Sequence, residues 1–295
     1  MIHRRHLLTL AATMGCAPAV WAQPSFPHKP LKIVVPNAAG GAADITARTV
    51  GQKLSEALGQ PVVIDNKPSA GGIVAADLVA KAEPDGHTML LISSGTAVSA
   101  SLFKSLPFDT VKDFSPVSKL ASFDLVLCVA EGGRFKTLGD VLSYARANPG
   151  KLNLGSPQVG TTQNLAAELF LSSAGLQAQV VPFNGTPPVI TALRGGSLDA
   201  MVEILGPVMG QIKSGALRPV AVLSDKRGAA LPDVPSAVEL GFKDAEFYIW
   251  IGLFAPASTP EPILQTLRAD IQKGINGDNG FNQSMIKLGA VPDFR

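Results

Sequence analysis

The residues of this chain best placed for chemistry are small ones. Pro36-Asn37-Ala38-Ala39-Gly40-Gly41-Ala42-Ala43-Asp44 follows the β-branched run Ile33-Val34-Val35, and Gly155-Ser156-Pro157-Gln158-Val159-Gly160-Thr161-Thr162-Gln163-Asn164 follows Leu152-Asn153-Leu154. Loops without bulky side chains let a ligand reach backbone N–H groups, and a helix that follows points the positive end of its dipole at the same place. Two such loops are two jaws for one small anion, a pattern that favours capture over catalysis.

Catalytic alternatives find little support in the residue types. Glycines after a first strand invite a dinucleotide-fold reading, but Asn37-Ala38-Ala39-Gly40-Gly41 does not supply G-x-G-x-x-G and no phosphate-binding Lys follows it. Past the first 22 residues the only histidines are His28 and His87, and neither a Ser/His/Asp set nor a metal-ligand cluster can be assembled from spacing. No metal, cofactor or catalytic residue is therefore expected. A periplasmic α/β enzyme acting on a small carboxylate, or a ligand-free scaffold, are the competing readings. With 46% hydrophobic and 16% charged residues and a formal net charge of +2, the 295 residues suffice for a large core. That charge is too balanced to draw nucleic acid or a membrane surface.

The elements that would position the jaws alternate. Strands are expected over 31–35, 61–64 and 88–92, with helices over 45–58 and 73–82 between them, a βαβαβ series that calls for a parallel sheet and binding at the carboxyl ends of its strands. The series resumes with a strand over 125–129 and a helix over 138–147 behind the cap candidate Thr137. A strand over 152–154, a helix over 164–174 and a strand over 179–183 follow. Then come a helix opened by Pro187-Pro188, a strand over 198–203, a short helix from Pro207 and a strand over 217–223. Residues 108–124 carry polar and turn residues between the two series. If the tail with Trp250 to Phe254 and the helix over 262–275 returns to the first, the chain crosses twice and makes a hinged cleft, with hinges expected over 120–124 and 224–226. The domains expected are residues 23–121 with 226–295 for the first lobe, and 122–225 for the second.

At the N-terminus, His3, Arg4, Arg5 and His6 precede an apolar run too short to span a bilayer, and Val20-Trp21-Ala22 offers small residues to a signal peptidase. Residues 1–22 are thus expected to be a cleavable signal peptide for export to the periplasm. A lipoprotein site at Cys16 is the rival. Removal of the leader leaves Cys128 alone in an apolar strand, as a small hydrophobe without a disulfide partner.

Taken together, Pro36 to Arg48, Val62-Val63-Ile64-Asp65-Asn66-Lys67-Pro68-Ser69-Ala70-Gly71-Gly72, Pro84-Asp85-Gly86-His87-Thr88, Phe183-Asn184-Gly185-Thr186-Pro187-Pro188, Gly195-Gly196-Ser197-Leu198-Asp199 and Leu231-Pro232-Asp233-Val234-Pro235-Ser236 closely resemble the Bug family. These are the extracytoplasmic solute receptors of tripartite tricarboxylate transport systems. The resemblance implies an α/β, type II periplasmic-binding-protein fold and a small carboxylate, amide or amino-acid ligand held mainly by backbone amides. An integral-membrane permease is implied as partner, and the receptor itself is expected to be a monomer. Carried onto this sequence, the first jaw is Asn37, Ala39, Gly40, Gly41 and Asp44, with Ser93, Ser94 and Gly95. The second is Gln158, Gly160, Thr161, Thr162 and Asn164, with Gly185 and Thr186. The resemblance also implies a helix beyond the segment 285–292, whose absence would bare an apolar strip on the first lobe.

Several of these residues have ordinary structural roles open to them. Asp44 suits the first turn of a helix with or without a ligand, Thr161 and Thr162 are N-cap candidates, and Trp250 and Phe254 suit packing. Glu203 ends an otherwise apolar strand on the binding side of its lobe. Either it emerges into solvent or pairs with a base, or it faces the cleft, accepts a hydrogen bond from the ligand and disfavours a second carboxylate.

Overall fold

The computed structural model describes residues 26–242, 249–276, 282–283, 285–286 and 289–292. The expected signal peptide lies outside the described residues. The first run of elements is β1 (Leu31–Val35), α1 (Ala42–Leu58), β2 (Val62–Asn66), α2 (Ile73–Ala80), β3 (Thr88–Ser93), α3 (Ser94–Leu102) and β4 (Phe114–Phe123). The second is β5 (Leu125–Ala130), α4 (Leu138–Ala147), β6 (Asn153–Ser156), α5 (Thr162–Ser173), β7 (Gln179–Pro182), α6 (Thr186–Arg194), β8 (Ala200–Ile204), α7 (Leu205–Lys213) and β9 (Leu217–Val222). The tail adds β10 (Ile249–Pro256), α8 (Glu261–Asn276) and β11 (Ala290–Pro292).

These strands form two sheets, in the orders β11-β4-β10-β3-β1-β2 and β7-β6-β8-β5-β9. β1 is buried at every position but Lys32, as a strand covered by helices on both faces must be, and it pairs in parallel with β2 and β3. α1 connects β1 to β2 and buries Ala43, Ala47, Val50 and Leu54 along one face. It stops at Gly59, whose φ of 65° is the left-handed conformation that closes a helix at least cost in glycine. In the second sheet Thr137 caps α4 as expected. Its hydroxyl accepts from the Asp140 N–H at 3.1 Å while the Asp140 carboxylate accepts from the Thr137 N–H at 2.9 Å, a reciprocal capping box.

The chain passes between sheets at Asp124, the single residue separating β4 from β5, and again in the segment between β9 and β10. The sheets are mixed where a parallel pattern was expected. β10 runs antiparallel to β3 and β4, and β5 antiparallel to β8 and β9, because each strand that has just changed sheets enters from the opposite end. Two elements differ from the sequence reading. Residues 114–123 form an interior strand rather than a polar connection: Pro116 and Lys119 sit where register shifts against β10 accommodate residues that a regular central strand excludes. Residues 94–102 form a helix, although Ser, Thr, Val and Gly give it neither strong propensity nor an amphipathic stripe. It packs against α5 instead.

Candidate functional site

The two jaws face each other between the sheets. Five helices present their N-termini to one cavity: α1 through Gly41, Ala42 and Ala43, α3 through Ser93, α5 through Thr162 and Gln163, α6 through Gly185 and Thr186, and α7 through Ile204. Asn37, Ala38, Pro157, Gln158 and Ile251 complete the lining, which contains no charged side chain. Each helix start carries a fraction of positive charge, and those of α1, α3 and α5 add backbone N–H groups without intrahelical partners, whereas Pro187 and Pro188 of α6 have none and the Leu205 N–H of α7 donates to the Asp124 carbonyl. The cavity is thus polarised for an anion by main chain alone.

The lobes stand closed. The Gly71 N–H donates to the Val159 carbonyl at 3.1 Å, and the Ser94 and Thr162 hydroxyls meet at 3.1 Å across the cleft. Glycines make this approach possible: a Cβ on Gly95 would lie 2.6 Å from the Thr162 nitrogen, and one on Gly185 2.8 Å from the Ala38 Cβ. The closed cavity measures about 30 Å³, room for one or two water molecules, so a carboxylate enters only when the jaws part.

Of the first-jaw residues expected from sequence, Asn37, Gly41 and Ser93 line the cavity, and Ser94 and Gly95 form the interlobe contact beside it. Ala39 and Gly40 lie exposed at the loop's turn. Gly40 has φ 83°, which side chains adopt only under strain, whereas Gly41 sits at φ −87°, where a Cβ would meet the Thr186 hydroxyl at an ordinary 3.4 Å. Asp44 is buried behind the loop, where its Oδ2 accepts the Gly40 N–H at 3.0 Å and Arg48 Nε at 3.1 Å. Burial alone would raise its pKa. The bond from Arg48, the Gly40 N–H and Asn66 together outweigh that and hold the carboxyl below its ordinary value. Asp44 thus shapes the jaw from within.

In the second jaw Gln158, Thr162, Gly185 and Thr186 line the cavity. Thr161 caps α5, accepting from the Asn164 N–H at 3.3 Å and donating to the Gln158 carbonyl at 2.8 Å. Asn164 turns inward to the Ser156 hydroxyl, 3.1 Å away, and braces the loop. Gly160 packs on Gly71 of the other lobe, where a Cβ would come within 3.0 Å.

Glu203 neither emerges into solvent nor pairs with a base. It is fully buried at the end of β8, one layer behind the cavity. Its Oε1 accepts from Gln163 Nε2 at 2.7 Å and from the Ile204 N–H at 2.8 Å, while Oε2 has no hydrogen-bond partner among the described residues. Burial raises its pKa to about 7, against the lowering effect of Gln163, the Ile204 N–H and Thr186. The sequence reading missed seven residues of the lining: Ala38, Ala42, Ala43 and Pro157 within the loops it singled out, and Gln163, Ile204 and Ile251. Gln163 was in view inside the second jaw, but nothing local marks Ile251, which arrives on β10 from the tail.

The sequence profile described as "Tripartite tricarboxylate transporter family receptor" matches residues 46–290. Protein BugT of Bordetella pertussis (strain Tohama I) is 34% identical over 283 residues, covering 95% of this chain and 86% of BugT. Among solved structures, the periplasmic binding protein BugD superposes with TM-score 0.86 at 31% identity, over 90% of this chain and 89% of BugD. MatC from Rhodopseudomonas palustris, solved with bound malate, superposes with TM-score 0.85 at 32% identity, over 90% of each chain.

Proposed function

Since this chain belongs to the tripartite tricarboxylate transporter receptor family, which comprises solute-binding receptors and not enzymes, we propose that it captures a small carboxylate, or a related amide or amino acid, between its two lobes and delivers it to a tripartite-type permease. BugD is a periplasmic binding protein, and MatC was solved with malate bound. Export to the periplasm, the identity of the ligand class and the permease partner belong to the proposal for this chain.

The observation that carries the reading is the convergence of five helix N-termini on a cavity lined by no charged side chain. A carboxylate is the ligand such a lining suits, because it accepts several N–H bonds at once and its charge meets the dipoles' positive ends. A cation would face unsatisfied donors, and an apolar ligand would strand them. In this account the lobes rock about Asp124 and the segment beyond Val222, and closure over the ligand gives the permease a shape to distinguish from the empty form.

A thermal-shift panel of mono-, di- and tricarboxylates, with amino acids and pyridine carboxamides, tests the reading. A bound ligand at about 100 times its Kd adds about 2.7 kcal/mol of stability. Stabilisation by at least one anionic member is the expected result. A flat response across the panel would leave the fold as a scaffold, and consumption of a compound would restore the enzyme reading.

A further inference from the structure

Gln163 lines the cavity with its amide held from behind by a buried carboxylate. Its Nε2 donates to Glu203 Oε1, which also receives the Ile204 N–H. An ionised carboxylate only accepts, so the amide nitrogen must stay on the Glu203 side. No described residue donates to the Gln163 Oε1, leaving that oxygen as the free polar atom of a side chain that borders the cavity. Glu203 Oε2 meanwhile is buried and has no hydrogen-bond partner among the described residues, an arrangement that costs stability.

We propose that Glu203 is a positioning residue for ligand selectivity: it locks the Gln163 amide so that its carbonyl oxygen is presented to the cleft, favouring carboxylates that also carry a hydroxyl or N–H donor. The inference rests on the cleft being the carboxylate site. Main-chain N–H groups hold the carboxylate, and Gln163 then asks for a donor beside it. A ligand without one leaves the Gln163 oxygen facing an apolar methylene or a second anion, which is unfavourable in a dry cavity.

The lock has a release. A proton on Glu203 makes the carboxyl a donor as well as an acceptor, so the Gln163 amide can turn over and offer N–H to the cleft. The surroundings leave Glu203 free to titrate on its own. α5 contributes neutral Gln163, α6 neutral Thr186 and α7 backbone. β5 contributes Val126 and Cys128, whose thiol is pushed well up, first by burial and then by the Glu203 charge.

Calorimetric titrations with two pairs of probes differing by one hydroxyl, malate against succinate and lactate against propionate, test the proposal in the wild type and in Glu203→Gln at pH 8 and pH 6. The wild type at pH 8 is expected to prefer the hydroxy acid of at least one pair by about tenfold, the worth of one well-made hydrogen bond. That preference should shrink towards unity at pH 6, and be small and independent of pH in Glu203→Gln. Binding of both members without preference at pH 8, or a preference that survives in Glu203→Gln, overturns the proposal while leaving the carboxylate reading standing. Failure of all four probes to bind at either pH overturns this inference, while the thermal-shift panel decides the carboxylate reading separately. If Glu203→Gln does not fold, Gln163→Leu decides: a hydroxy-acid preference that survives the loss of the Gln163 oxygen refutes the lock.

Discussion

Gly95→Ala separates closure from folding, because its effects on the two have opposite signs. Gly95 is the second residue of α3, in ordinary helical backbone, so alanine there is intrinsically favoured over glycine by up to about 1 kcal/mol. In the closed protein, however, its Cβ would lie 2.6 Å from the Thr162 nitrogen, 2.9 Å from the Thr162 hydroxyl and 3.1 Å from the Gly160 carbonyl. Two of these atoms are backbone and the third is a hydroxyl held by Ser94, so the lobes themselves must part by roughly 1 Å to reach ordinary contact near 3.5 Å. Overpacking of this kind costs about 1–3 kcal/mol. The Ser94–Thr162 and Gly71–Val159 bonds across the cleft stretch with it, at about 0.5–1.5 kcal/mol each. The closed form should therefore lose about 2–6 kcal/mol, and affinity should fall by about 30-fold to about 20,000-fold at 1.4 kcal/mol per decade. Calorimetric titration would measure the affinity and thermal melting the stability, expected to be unchanged or slightly raised. Full affinity in Gly95→Ala would refute the argument that the ligand is held with α3 and α5 in close approach, and a drop in melting temperature without ligand would show that Gly95 serves folding instead.

Three further outcomes are expected. Glu203 has a folded pKa of about 7 against an ordinary 4.5, so the native state binds its proton more tightly than the unfolded chain and stability falls as pH rises between those values; Glu203→Gln should remove that dependence and exceed the wild type at pH 8 by up to roughly 3 kcal/mol in urea unfolding, and parallel pH profiles of the two proteins would contradict it. Asp44 is shifted the other way, so its contribution is present above the ordinary carboxylate pKa and lost as pH falls through the lower folded value. Asp44→Asn should cost about 1.5–3 kcal/mol at pH 7 and less as the pH falls below the ordinary carboxylate range, with weaker ligand binding because the amide gives Gly40 only an uncharged acceptor; a stability loss that does not change with pH would deny the carboxylate its role. Thr137→Ala, at the α4 capping box away from the cleft, should lower stability by about 1 kcal/mol and leave affinity alone, and an altered affinity would reveal coupling between that helix and the cleft.

What could be read from the sequence was whatever depends on local chemistry. The buried run Ile33-Val34-Val35 marked β1, Thr137 marked the start of α4, and the small-residue loops marked both jaws, because burial, capping and backbone access leave their trace in neighbouring residues. The misses depend on contacts distant in sequence. Ser94–Leu102 is helical by virtue of α5, and Phe114–Phe123 joins a sheet whose bulges excuse its proline and lysine. Ile251 reaches the cleft only after the chain has returned from the other lobe. Glu203 was visible as an odd carboxylate at a strand end, but whether it met solvent, a base or an amide was settled by Gln163, 40 residues away. The same distance hides the purpose of Gly95 and Gly160, whose neighbours lie across the cleft.

The claim that a carboxylate is held by main-chain N–H groups between the lobes is tested most directly by a crystal structure of the protein grown with an equimolar mixture of small mono- and dicarboxylates. The account predicts carboxylate density inside the cleft, with oxygens at about 2.7–3.1 Å from backbone nitrogens at the starts of α1, α5 or α6. Density found only outside the cleft, paired with exposed cations such as Arg134 and Lys151 at the far end of the second sheet, would contradict it.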